Sequence, residues 1–249
     1  MMNSAEFANI AKAENDFWWY RGMRQIMFGL LDPISWRRKF HRVAEIGAGT
    51  GHFALALQER YNWPMYPLDL GWEGLEFGKT LGVQRMVQAD MCQLPYKNQA
   101  FDALVSMDVV VHLPRGREDE PMAEFARVLE PGGFLALRVS AFDILRSQHS
   151  EFAHERQRFT KSRLLALAQR HGFRTLRCTH ANSFLMPVAL FKFRVVEPLL
   201  GGQASSGVEP VAGWLDSLLY APLAAEASLI SMGVNLRLGQ SLILLAEKS

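Results

Sequence analysis

The sequence predicts an α/β protein built on a seven-stranded, mostly parallel sheet with helices on both faces. Three observations predict it. Short, near-continuously apolar runs recur along the chain, as strands covered on both sides should be. Helical patterns alternate with those runs, which is the arrangement of a parallel sheet with crossover helices. The 249 residues, 49% hydrophobic and 21% charged, are enough for one such domain with an insertion. They exclude disorder over most of the length.

The first five strands are expected at Val43–Ile46, Trp63–Leu68, Arg85–Gln88, Ala103–Met107 and Phe134–Val139. Helices are expected between them at Phe53–Tyr61, Leu75–Leu81 and Glu120–Leu129. A further helix, Lys161–His171, has Thr160 to cap its start and Gly172 to end it. Strands at Phe173–Thr179 and Ser241–Glu247 complete the sheet. The connection between these last two is far longer than a hairpin needs. It holds two apolar helical stretches, Phe184–Pro198 and Val211–Met232, separated by the Gly/Ser-rich break at 201–207. Before the first strand the chain is helical in pattern and aromatic (Phe17, Trp18, Trp19, Tyr20, Phe28). The expected organisation is therefore a helical flank or lid over 1–41, a Rossmann-like core over 42–180, a helical insertion over 181–239 and the last core strand over 240–249.

Twenty-seven basic residues against 25 acidic ones leave a charge of +2. That balance is too even for the concentrated basic face of a nucleic-acid binder, so none is expected as partner. Cys92 and Cys178 are too few for a disulfide scaffold and match no zinc spacing. The N-terminal residues lack the basic-then-apolar order of a secretory signal, and no apolar run reaches the length of a spanning helix. A cytoplasmic protein without stable membrane insertion is the expectation.

The chemistry begins at Val43-Ala44-Glu45-Ile46-Gly47-Ala48-Gly49-Thr50-Gly51. A buried strand runs straight into a glycine-rich turn, and a helix follows. Such a turn sits at the carboxyl end of the first strand, where α/β sheets bind ligands. The dinucleotide fingerprint G-x-G-x-x-G/A fails, because its sixth position is His52. The pattern present is E-x-G-x-G-x-G. Asp69 ends the second strand, where an acidic side chain can take both ribose hydroxyls of a nucleoside. That position alone does not separate a nicotinamide cofactor from others.

The glycine turn resembles motif I of the class I S-adenosylmethionine-dependent methyltransferases. The resemblance continues in order through Gln88-Ala89-Asp90-Met91, Leu94-Pro95-Tyr96, Phe101-Asp102 and Arg127-Val128-Leu129-Glu130-Pro131-Gly132-Gly133. It covers residues 43 to 140 and is similar to the quinone-biosynthesis-like subgroup, methyltransferase type 11. It implies a Rossmann-like fold and S-adenosylmethionine as cofactor. The residues it implies for cofactor binding are Glu45, Gly47, Ala48, Gly49, Asp69, Leu70, Asp90, Met91, Met107 and His112. Trp19 and Arg21 would close over the cofactor, with Arg21 or Arg24 pairing its carboxylate. In quinone-type relatives the segment after strand four often carries a Glu before the His. Here Val111 stands there between Asp108 and His112, so no metal is expected.

Catalysis by such a cofactor needs orientation more than a dedicated motif. His112 is the candidate base, with a helix-capping role as the alternative. His154 is the second candidate, and with Arg158 it could orient an anionic acceptor on the loop after strand five. The expected activity is methyl transfer to a small molecule, O-methylation favoured. An NAD-dependent oxidoreductase on a similar sheet, or an idle cofactor-binding scaffold, are the alternatives. The apolar insertion must cover something. A cover for an acceptor with an apolar part leads, a homodimer interface comes second, and lipid contact third.

Overall fold

The computed structural model of the chain describes residues 4–201, 206–208 and 211–249. Most of the Gly/Ser break expected at 201–207 therefore lies outside the described residues. Two helices open the chain, α1 (Ser4–Ala13) and α2 (Trp18–Ser35). The core then alternates β1 (Val43–Ile46), α3 (His52–Tyr61), β2 (Met65–Asp69), α4 (Trp72–Thr80), β3 (Val87–Gln88) and β4 (Phe101–Met107). It continues through α5 (Asp119–Val128), β5 (Leu129–Ser140), α6 (Gln148–Phe152), α7 (Lys161–Arg170) and β6 (Phe173–Ala181). The connection to β7 (Ser241–Lys248) holds α8 (Met186–Phe191), a π-helical turn (Lys192–Val196), α9 (Glu197–Leu200) and α10 (Gly213–Ser231).

The seven strands form one sheet in the order β3-β2-β1-β4-β5-β7-β6. All pairings are parallel except those of β7, which runs antiparallel between β5 and β6. The seven-stranded, mostly parallel sheet is thus as expected. β5 differs from its expected start: it begins at Leu129 and carries the Pro131-Gly132-Gly133 turn inside it, with a register shift opposite Phe101 and Ala103. The helical stretch expected over Phe184–Pro198 is an unbroken helical run from Met186 to Leu200 that passes through α8, the π-helical turn and α9. At α7 the expected cap is present, with the Thr160 hydroxyl accepting from the Arg163 N–H at 3.4 Å and Gly172 at φ +76°.

Two apolar cores cover the two sheet faces. Leu104, Leu135, Leu137 and Leu244 meet Phe125 of α5 and Leu164 and Leu167 of α7. On the other face Val43, Ala103, Val105 and Ile243 meet Ile26 and Leu30 of α2, Leu57 of α3, and Leu223 and Ile230 of α10. The alternation of side chains along each strand divides the two sets. Because every parallel strand ends at one edge of the sheet, the loops that follow β1, β2, β4 and β5 converge there.

Candidate functional site

After Ile46 the chain turns through Gly47 and Gly49, at φ +76° and +56°, a backbone region that glycine enters without Cβ cost. The Gly47 and Ala48 N–H groups donate to the Leu68 carbonyl at 2.8 and 2.9 Å, fastening the turn to β2. Asp69, at the end of β2, accepts from the Gly49 N–H and from the Gly71 N–H, each at 2.7 Å. The carboxylate expected to take ribose hydroxyls therefore also braces the glycine turn. Burial pushes its pKa up. Asp90 accepts from the Cys92 N–H through Oδ1 at 2.8 Å.

Two further carboxylates stand at this turn. Glu45 is buried, and its Oε2 has no hydrogen-bond partner among the described residues. Burial, with Asp69 and Glu14 nearby, pushes its pKa up to about 8. Glu14, just beyond α1, lies with both carboxylate oxygens 2.7 Å from the Thr50 hydroxyl. Burial raises it to about 7, against the opposing pull of Thr50 and Arg24. The ring of Phe7 from α1 closes over the same place. A Cβ built on Gly74 would lie 2.5 Å from the Gly49 carbonyl and 2.7 Å from Phe7 Cε1.

At the end of β4, Asp108 adopts φ +55° and pairs with Arg138 of β5 at 2.6 Å. The Arg138 guanidinium lies 5.1 Å from the Trp19 ring centroid. His112 ends a short helical turn, Val110–His112, after β4. Its Nδ1 lies 3.3 Å from the His154 carbonyl oxygen. A carbonyl can only accept, so Nδ1 carries the proton and Nε2 keeps its lone pair. Desolvation lowers the pKa of this imidazole, which keeps it neutral at pH 7.

The glycine turn, Glu14, Glu45, Asp69, Asp90, Asp108, Arg138 and His112 border one cavity of about 980 Å³. It brings together Trp19, Glu45, Gly47, Ala48, Gly49, Asp69, Leu70, Asp90, Met91, Met107 and His112. Two expected residues are not on its wall. Arg21 turns to Asp216 of α10 at 3.4 Å and stacks on Tyr220, so the cation of α2 that borders the cavity is Arg24. His154 sits at φ +57° on the exposed side of its loop and offers its carbonyl to His112. Arg158 does border the cavity, but its guanidinium donates to the Ala141 carbonyl and Ser150 hydroxyl and pairs with Glu155 at 2.7 Å. These bonds organise the loop that holds Arg158 at the cavity.

Glu14, Arg138 and Asn182 line the cavity without having been singled out in the sequence. Asn182 is buried, and its Oδ1 has no partner among the described residues. Arg138 and Asn182 follow from the rule that strand ends at the carboxyl edge carry the site. Glu14 carries no local signal. Among the described residues no group of three or more His, Cys, Asp or Glu is placed to hold a metal ion.

The glycine cradle, the braced acid at the end of β2 and the unpartnered oxygen of Glu45 suit a nucleoside cofactor bearing positive charge. A family model described as a methyltransferase domain matches residues 44–137. The probable tRNA methyltransferase 9B of Mus musculus is 35% identical over 104 residues, which are 41% of this chain and 22% of that protein. The chain thus spans about a fifth of that relative's length. Among solved structures, a SAM-dependent methyltransferase from Archaeoglobus fulgidus superposes with a TM-score of 0.55 at 16% identity, covering 90% of this chain and 94% of the other. A chain from Galdieria sulphuraria, provisionally assigned as a sarcosine dimethylglycine methyltransferase, gives 0.60 at 16% identity, covering 91% and 86%. Residues 44–137 thus match a methyltransferase-domain family, and the chain has the class I methyltransferase fold of these neighbours, in agreement with the geometry of the glycine turn.

Proposed function

We propose that the protein transfers the methyl group of S-adenosylmethionine to an oxygen of a small-molecule acceptor that has an apolar part. One observation carries this reading. The cavity that begins at the glycine turn extends to an apolar wall formed by Leu185, Ala189, Phe193 and Val196 of the insertion. On this reading 1–41 is a lid, 42–180 with 240–249 the cofactor-binding core, and 181–239 the cover of the acceptor.

The turn Gly47–Gly49 would approach the cofactor closely. Asp69 retains lone pairs for ribose hydroxyls, and Asp90 and Met91 with Leu70 would hold the base. Arg24 would meet the carboxylate, and Glu45 the positively charged portion. When bound, the cofactor supplies a methyl group activated by a sulfonium. His112 would accept the acceptor's hydroxyl proton on Nε2, the nitrogen left free by the Nδ1 contact to the His154 carbonyl. Its lowered pKa keeps the lone pair available at neutral pH.

The test is transfer of labelled methyl to a panel of amphiphilic alcohols, phenols and amines, with bulk tRNA as a further arm. Transfer to a hydroxyl amphiphile is expected. Labelling of tRNA alone would replace the acceptor class, and no affinity for S-adenosylhomocysteine by calorimetry would remove the cofactor assignment.

A further inference from the structure

The helical segment from α8 to α9 is apolar on both sides. Leu185, Ala189, Phe193 and Val196 face the cavity. Phe184, Val188, Phe191, Val195 and Leu199 are exposed instead, Phe191 at 59% and Leu199 at 79%. Val188, Phe191, Val195 and Leu199 recur along the helical run, and Phe184 lies in the turn just before it. Two exposed neighbours widen the stripe. Leu238 has its carbonyl bonded by the Ser183 hydroxyl, and Ile144 has its carbonyl bonded by Arg194 Nε at 2.7 Å. Val188 and Leu200 both line the cavity and are exposed, so the cavity mouth opens onto this stripe.

Among the described residues cations border the stripe, and the exposed acid beside Ile144, Asp143, is paired with Arg115 at 3.0 Å. Lys192, Arg194 and Arg237 are exposed beside it. The described acids of the insertion bond inward: Glu197 to the Gln148 N–H at 3.0 Å, Asp216 to the Trp18 N–H at 2.9 Å, and Glu226 to the Ser183 and Phe184 N–H groups at 2.6 Å. An apolar stripe flanked by cations is the surface that settles into the headgroup boundary of an anionic bilayer. No described helix is long and apolar enough to cross a membrane, so the contact lies at the surface.

We infer that this face docks on an anionic lipid surface and that an apolar acceptor reaches the cavity from it. Docking rests on the stripe and its cations. Only the route of the acceptor rests on the methyl-transfer reading. The test uses the full chain with phosphatidylcholine vesicles, with and without phosphatidylserine, in a co-sedimentation assay. Binding to the phosphatidylserine vesicles is expected, weakening as salt rises. Phe191→Asp or Val195→Asp should weaken it by about tenfold or more, since each sets a charge into the apolar contact. Arg194→Glu should weaken it on the anionic vesicles only. Neither Phe191 nor Val195 lines the cavity, so S-adenosylhomocysteine affinity should persist in both variants. If an aspartate variant loses both kinds of binding, Phe191→Ser and Arg194→Glu decide. Failure of the wild-type chain to bind either vesicle overturns the proposal. So does a dimer in sedimentation velocity that Phe191→Asp dissociates. Vesicle binding by a chain that ignores S-adenosylhomocysteine would sustain docking and remove the methyl-transfer reading instead.

Discussion

His112 keeps its Nε2 lone pair because its single N–H is on Nδ1, donating to the His154 carbonyl. His112→Gln should lower kcat by about two to four orders of magnitude, the range for loss of a positioned base. Single-turnover kinetics with the identified acceptor check this, and an undiminished methyl-transfer step would return His112 to a capping role. Asp69 does two things at once, bracing the turn through Gly49 and facing the cavity. Asp69→Ala should weaken S-adenosylhomocysteine binding by roughly 1.5–3 kcal/mol for each hydrogen bond lost from the charged acceptor. Equal calorimetric affinity would remove Asp69 from the site. At this scale the glycine turn and Asp69 were legible because spacing along one strand–turn–helix unit is local. Arg21 was not, since the direction a side chain takes around a helix depends on what packs beside it. Its partner Asp216 lies at the other end of the chain.

Among the elements, α1 and α4 define how closely the glycine turn is held. A methyl group added at Gly74 would meet both the Gly49 carbonyl and Phe7. Gly74→Ala should therefore cost about 1–3 kcal/mol of stability, the usual penalty of overpacking. It should also weaken cofactor binding, because α4 must back away from the turn. Urea denaturation and calorimetry together check it; a variant as stable as the wild type would show that Phe7 yields freely. The strands were read well because buried parallel strands are continuous apolar runs. The π turn at Lys192–Val196 and the short α6 were not, since neither has a periodicity distinct from that of an α-helix or loop. α6 is set instead by the capping pair Ser147 and Ser150, a signal of only four residues.

The carboxylates whose pKa is displaced fall into two groups with opposite pH behaviour. Asp32, Glu118 and Glu124 pair with Arg60, Arg163 and Arg127, which hold them below the usual carboxylate range. Their stabilisation is present above the unfolded pKa and is lost as pH falls, but it is small for such partly solvated pairs. Glu14 and Glu45 are the reverse, raised by burial from 4.5 to about 7 and about 8. Asp69, Glu155 and Glu226 are raised in the same way. A raised acid binds more protons folded than unfolded between its two pKa values. Stability must then fall as pH climbs from 4.5 towards 7 for Glu14 and 8 for Glu45. The melting temperature should accordingly peak near about pH 5 and decline towards pH 8. Glu14→Gln and Glu45→Gln should each flatten that decline, having no proton to lose. A positively charged cofactor favours the ionised forms, so its binding near neutral pH should release protons. Calorimetry in buffers of different ionisation enthalpy reads that release directly. A melting temperature that rises steadily from pH 5 to 8, with no proton release on binding, would show that these buried carboxylates are already ionised in the free protein.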